Sequence, residues 1–281
     1  MDNRVITLSE VRGFFSAARS VALGGMLLEN RPATLVRALL REGVKDLFVT
    51  SAPAASWDAD ILVATGRVAR VRIPHISLGS LGLAPGFRRA VAEGLRVDEV
   101  DEATLIGSFM AAAGNARLQV LDHLGRNDVL DGNPLIVESG GLRGVEPLRV
   151  DLALIHAPMG DASGNLCHFG SRYADLLMAR SARVVVAQVD RIVPRMTAAR
   201  MGVSVPGYLV DAIVEAPYGA HPTGSAGAYV ADMAHLAAYQ AQVAAGDVDE
   251  YMKRFCNHGS TDAYVAEVGE AHLMRLARLA A

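Results

Sequence analysis

The sequence predicts an α/β protein with an open, mostly parallel sheet flanked by helices. Two observations carry this reading. Short apolar runs that suit strands alternate with amphipathic stretches of about ten residues that suit helices, the pattern of βαβ units. The later strand candidates, Leu152–His156, Val184–Val189 and Leu209–Val214, are almost continuously apolar, as strands covered on both faces are. No solenoid repeat and no low-complexity linker divides the chain, so residues 1–281 read as a single domain.

Leu8–Ser16 reads as a short opening helix, and Ser20–Leu23 as a strand that runs into Gly24-Gly25. Pro32–Arg41 sets Leu35, Val36, Leu39 and Leu40 at helical spacing, with proline in the first turn and Gly43 just past the end. Asp46–Ser51 is a strand, Asp58–Gly66 a short amphipathic helix, and Val68–Ile76 the next strand. Phe87–Glu93 is a helix that leads to the segment Arg96–Val100. Tyr229–Ala245 and Val248–Phe255 read as helices with Asp247 as a cap between them, and Asp262–Leu279 as one strongly amphipathic helix. Asp122–Gly144 interrupts the alternation. It is rich in glycine, asparagine and aspartate, and a loop that long in a compact domain is usually functional, a lid, or a partner contact.

Composition excludes several classes. The formal net charge is −3, which gives no footprint for nucleic acid or a membrane surface. Lys45 and Lys253 are the only lysines, which leaves few candidates for Schiff-base chemistry. Cys167 and Cys256 cannot build a disulfide scaffold. The opening residues lack the apolar core of a signal peptide and no apolar run spans a bilayer, so a cytoplasmic location is expected.

Four stretches could carry chemistry. Gly24-Gly25 at the end of the first strand is either a plain tight turn or a place where backbone N–H groups meet a phosphate or an oxyanion. The run Asp98-Glu99-Val100-Asp101-Glu102 is either a charge cluster favoured at a helix start or the source of one catalytic carboxylate, Glu102. Ala157–Asn165 follows a strand and is punctuated by Gly160 and Gly164, as turns and ligand loops both are. Glu215–Pro222 also follows a strand, and its His221 either binds a ligand or caps the loop. The other histidines are scattered without HxxxH or HExxH spacing, and there is no GxSxG elbow, so neither a zinc site nor an α/β-hydrolase serine is expected.

The order of these pieces resembles the alpha subunits of the heterodimeric class I CoA transferases, in particular the glutaconate CoA-transferase A group. The resemblance rests on Val21–Gly25, Asp151–His156 continuing to Asp161–Asn165, Arg183–Ile192, and Val205–Asp211 continuing to Tyr218–Pro222. It implies a CoA-transferase-like open α/β sheet and a homologous beta subunit, in a heterodimer or heterotetramer. It also implies acyl-CoA as substrate, with coenzyme A as part of the substrate and no permanently bound cofactor. The beta subunit of that family supplies the nucleophilic glutamate from a Ser-Glu-Asn-Gly-like loop. Leu28-Glu29-Asn30-Arg31 looks superficially similar but directly follows the glycine pair, and it is not assigned that role. The resemblance places Gly24 and Gly25 at the oxyanion site, with Met26 where the family commonly has Phe; His221 is kept beside them as the candidate substrate residue of the loop after the last strand.

A second branch of the family is similar too: two-subunit hydrolases that open the last ring of steroid-derived CoA thioesters. Their alpha subunit carries an essential acid in a Met-Asp-Glu-like segment, which Val100-Asp101-Glu102 resembles, and this makes Glu102 the candidate base. Related folds also sense effectors in transcription regulators, but no basic helix-turn-helix segment precedes this chain's first strand.

Overall fold

The computed structural model describes residues 3–121, 128, 130–170 and 172–280. In chain order the strands are β1 (Ser20–Leu23), β2 (Leu47–Thr50), β3 (Val68–Arg72), β4 (Arg96–Val97), β5 (Gln119–Val120), β6 (Ile136–Ser139), β7 (Leu142–Val145), β8 (Val150–Gly160), β9 (Leu166–Cys167), β10 (Ala182–Ile192) and β11 (Ala212–Glu215). The helices are α1 (Arg12–Phe15), α2 (Ala33–Arg41), α3 (Trp57–Ala64), α4 (Pro85–Ala92), α5 (Glu102–Ala113), α6 (Asp175–Ser181), α7 (Arg195–Met201), α8 (Met233–Ala245), α9 (Val248–Tyr251), α10 (Thr261–Val268) and α11 (Glu270–Arg278). The main sheet has the order β11-β10-β8-β1-β2-β3-β4, and every one of these pairs is parallel. Only β9, which folds back on β8, is antiparallel. The expected open, mostly parallel sheet is what forms.

Both faces of the sheet are covered. Val21, Leu23, Leu152, Leu154 and Val186 point to one core, which holds Leu35 and Leu39 of α2, Ile61 and Leu62 of α3, and Tyr239 of α8. Their neighbours Ala22, Ala153, Ile155, Val185 and Ala187 point to the other, with Leu105 and Phe109 of α5 and Met178 of α6. This period-two division explains the continuous apolar runs: alternate residues serve opposite cores.

Several elements differ from the sequence reading. The region Asp122–Gly144 is not one long loop. Ser139 pairs with Leu142 across Gly140-Gly141, whose φ values of 60° and 78° make a two-residue hairpin turn, and β6-β7 joins β5 in a small antiparallel sheet. Residues 122–127 and 129 lie outside the described residues. The helix expected over Asp262–Leu279 is two, because Gly269 at φ 98° ends α10 and begins α11. Asp247 precedes α9 but its side chain makes no capping bond; Gly246, left-handed at φ 94°, closes α8 instead. The strand ending before Ala157–Asn165 continues through Gly160, so only Asp161–Gly164 is turn. Among the described residues no helix is long and apolar enough to cross a membrane.

Candidate functional site

The carboxyl edge of the sheet collects the turn after β1, the loops after β2, β8 and β11, and the starts of α5 and α6. The turn after β1 is held from beneath by Arg31. This guanidinium is fully buried and donates to Asp58 Oδ2 through Nε and Nη2 at 2.8 and 2.5 Å. Its Nη1 donates to the carbonyls of Gly25 and Ala54 at 3.0 Å each, and Nη2 also reaches Ser51 Oγ. One side chain thus locks the ends of two neighbouring strands together.

The glycine pair is required by the protein's own packing. A Cβ at Gly24 would lie 2.4 Å from Asp175 Oδ1, and one at Gly25, where φ is 81°, would lie 2.4 Å from Asn30 O. Gly24 N–H donates to Leu154 O at 2.9 Å and so continues the sheet. Gly25 N–H donates to Asp175 Oδ1 at 2.8 Å. In this fold a strand carbonyl accepts from the first amide and a carboxylate from the second. Asp175 is buried at the start of α6, with His168 Nε2 3.3 Å from its Oδ2 and Ser204 Oγ 2.6 Å from His168 Nδ1.

The acidic run separates by role. Asp98 is gripped by Arg70 and Arg72; burial alone would raise its pKa, but these two guanidinium groups outweigh it and hold the carboxyl below its ordinary range. Asp101 is the N-cap of α5, accepting from Thr104 N at 2.8 Å and from Thr104 Oγ1 at 2.7 Å. Glu102 is the first residue of α5, exposed, at the rim of a pocket of about 500 Å³ lined largely by apolar Ala103, Ile106, Met110 and Leu121. Helices α5 and α6 lie side by side, with Ser181 Oγ donating to Phe109 O at 3.2 Å. Glu102 follows the carboxyl end of β4 and Asp175 meets the turn after β1, so both belong to the carboxyl edge.

His221 lies in the loop after β11. It is fully buried, with Nδ1 2.7 Å from Tyr264 OH and Nε2 3.1 Å from Asp232 Oδ2. His272 Nε2 reaches the same Asp232 oxygen at 2.5 Å, and Arg275 donates to His272 Nδ1. Trp57 Nε1 donates to Tyr251 OH, which leaves that hydroxyl's proton for His235 Nε2. Burial lowers the pKa of His221, and burial together with the neighbouring His221 lowers His235 to about 3. For Asp232, burial works upward, yet the N–H groups of His221, His235 and His272 prevail and hold it far below the carboxylate range. His221, Asp232 and His235 bring ligand-type atoms within 4.8 Å of one another. Since both ring nitrogens of His221 are engaged, the group cross-links the loop after β11 to α8, α10 and α11.

A second buried network escaped the sequence reading. Ser225 Oγ donates to Asp190 Oδ2 at 2.5 Å and lies 3.0 Å from His156 Nε2. It is not a nucleophilic triad. Gln188, its oxygen fixed by Leu35 N–H, donates to His156 Nδ1, so the imidazole proton sits on Nε2 and cannot be exchanged for the serine's. The β8–β10 register brings residues 156, 188 and 190 together and the loop after β11 brings Ser225 to them, and no local motif announces the four. Glu215 latches Ile192 N–H at 2.8 Å, and Tyr218 packs on Tyr229. Burial pushes Cys256 up to about 12, which makes it a packing residue.

Comparison with known proteins gives a consistent picture. The family model for coenzyme A transferases matches residues 11–216. The acetate CoA-transferase subunit alpha of Escherichia coli is 30% identical over 228 residues, covering 76% of this chain and 97% of that protein. The cholesterol ring-cleaving hydrolase IpdA subunit of Rhodococcus jostii is 30% identical over 247 residues, covering 81% of this chain and 82% of that protein. The crystal structure of glutaconate coenzyme A-transferase from Acidaminococcus fermentans shares the fold, with a TM-score of 0.89 at 23% identity over 97% of this chain and 95% of that one.

Proposed function

The chain belongs to the coenzyme A transferase family, and on that premise we propose that it is the alpha-type subunit of a two-subunit enzyme acting on acyl-CoA thioesters. Similarity to named alpha subunits along most of the chain carries this reading. In the transfer reaction a glutamate of the homologous partner attacks the thioester carbonyl and expels the CoA thiolate, giving a mixed anhydride. The thiolate then attacks the glutamyl carbonyl, releases the first acid and leaves a glutamyl–CoA thioester. An acceptor carboxylate reverses these steps and departs as the new thioester. Dividing one exchange into such steps is the advantage of covalent catalysis. This chain contributes the carboxyl edge, where Arg31 and Asp175 hold the turn after β1 in one shape.

One observation favours a second reading, hydrolytic opening of a cyclic ketone on a CoA thioester. Glu102 is released from capping by Asp101 and stands exposed at the rim of an apolar pocket. There it would act as base on water or on a carbon acid beside a ketone.

Borohydride trapping separates the two. The chain is co-purified with its partner subunit and incubated with acyl-CoA, then with borohydride. Activity lost only when both are present indicates an accumulated glutamyl–CoA thioester and supports transfer. Retained activity with release of a hydrolysed CoA product supports ring opening, and no turnover of any acyl-CoA overturns both.

A further inference from the structure

Exposed apolar side chains gather at one part of the carboxyl edge. Tyr173 and Leu176 flank the start of α6, and Met201 and Val203 stand at the end of α7; all four are exposed. Sequence separates the two pairs, and one buried imidazole joins them. His168 Nδ1 lies 2.6 Å from Ser204 Oγ, and its Nε2 lies 3.3 Å from Asp175 Oδ2. Val203 precedes Ser204 and Leu176 follows Asp175, so both flank the same ring. Strand β9 ties the pieces further: Leu166 pairs with Val205, and Cys167 Sγ donates to Ala198 O of α7 at 3.5 Å. The surface also meets the turn after β1, because Asp175 Oδ1 accepts Gly25 N–H.

The charge of these stretches has one sign. Residues 162–174 and 191–210 contain Arg172, Arg191, Arg195 and Arg200 and no aspartate, glutamate or lysine. Arg172 and Arg200 are exposed. Of the acids that border the stretches, Asp161 and Asp175 are buried, Glu215 holds Ile192 N–H, and Glu29 stands against Gly170. Exposed apolar patches mark places of interaction. Tyrosine, methionine and arginine without lysine or acid is the composition of the buried centre of a protein interface.

We infer that this face, from the start of α6 across His168 to the end of α7, seats the partner subunit, and that the partner meets it with carboxylates. The inference rests on the two-subunit reading above. A second copy of this chain fits less well, since an isologous contact sets the same arginines against one another. A partner seated here covers the carboxyl edge and, through His168 and Asp175, bears on the turn after β1.

The test uses the complex co-purified with the partner subunit, diluted and followed by sedimentation velocity. Tyr173→Asp and Arg200→Glu change exposed side chains outside the sheet, and Leu279→Asp, exposed just past α11, is the control. Tyr173→Asp and Arg200→Glu should each weaken association about 30-fold or more, with the chain's far-UV circular dichroism unchanged, while Leu279→Asp stays within about threefold of wild type. Added salt should weaken the wild-type complex more steeply than the Arg200→Glu complex. Association within about threefold of wild type in both Tyr173→Asp and Arg200→Glu overturns the assignment of this face and leaves the two-subunit reading intact. So does self-association of the chain alone that these substitutions abolish, which gives the face to a second copy. Absence of any complex in the wild type removes the two-subunit reading itself, and the inference with it.

Discussion

Replacing Arg31 with methionine is the sharpest test of how the carboxyl edge is built. The substitution preserves most of the side-chain volume and removes the guanidinium. Asp58 is then a fully buried carboxylate without its partner, and the carbonyls of Gly25 and Ala54 lose a donor. Breaking one side of a buried pair costs about 3–5 kcal/mol, mostly because the remaining charge is stranded. Unfolding entropy near 2.1 cal/mol/K per residue gives about 590 cal/mol/K for 281 residues, so the melting temperature should fall by about 5–8 °C. Calorimetry of Arg31→Met, Asp58→Asn and the double variant reads this directly. The double variant leaves no buried charge and should recover part of the loss, within about 1–2 kcal/mol of wild type. A fall below about 2 °C in the single variant, or strict additivity in the double, would refute the stranded-charge argument.

Three further outcomes follow from the same geometry. His235 titrates near 3 in the fold against about 6.5 unfolded, so its contribution is complete above pH 6.5 and is lost as pH falls toward 3. His235→Gln should therefore flatten the fall of the urea midpoint between pH 6.5 and 4, where one such group adds at most about 1.4 kcal/mol per pH unit; equal slopes would count against it. Gly24→Ala should lose about 1–3 kcal/mol in urea unfolding because its methyl meets Asp175 Oδ1, and Asp175→Ser in the same chain should relieve it; an unrelieved loss would place the clash elsewhere. Glu102→Gln should abolish ring opening but only weaken CoA transfer, and wild-type turnover in the variant would remove Glu102 from the chemistry.

The sheet was legible because its signals are local. Ser20–Leu23, Leu47–Thr50 and the long runs of β8 and β10 declare themselves by apolar continuity, and α2 by the spacing of Leu35, Val36, Leu39 and Leu40. The β6-β7 hairpin was obscured because Ile136–Ser139 and Leu142–Val145 are half exposed and polar in part, although Gly140-Gly141 is itself a hairpin signal. The site was legible only as a set of stretches. What each polar group does depends on partners far along the chain: Asp175 lies 150 residues from Gly25, and Arg37 lies 184 from the carbonyl of His221 that it holds. Motif spacing carries no record of such pairs.

Glu102 and Asp175 show how one sequence position can lead to opposite fates. Each is the first residue of a helix, where the helix dipole favours a carboxylate. At α5 the preceding Asp101 takes the capping bonds, so Glu102 owes nothing to the helix and stays exposed. At α6 the preceding residue is Ala174, which cannot cap, and Asp175 turns inward to a backbone amide of the turn after β1. The missing Cβ at Gly24 is what admits it. The glycine pair and Asp175 are therefore one device, and it shapes the turn that closes the carboxyl end of β1. An acid at a helix start thus becomes part of the scaffold or part of the surface according to which side chain precedes it.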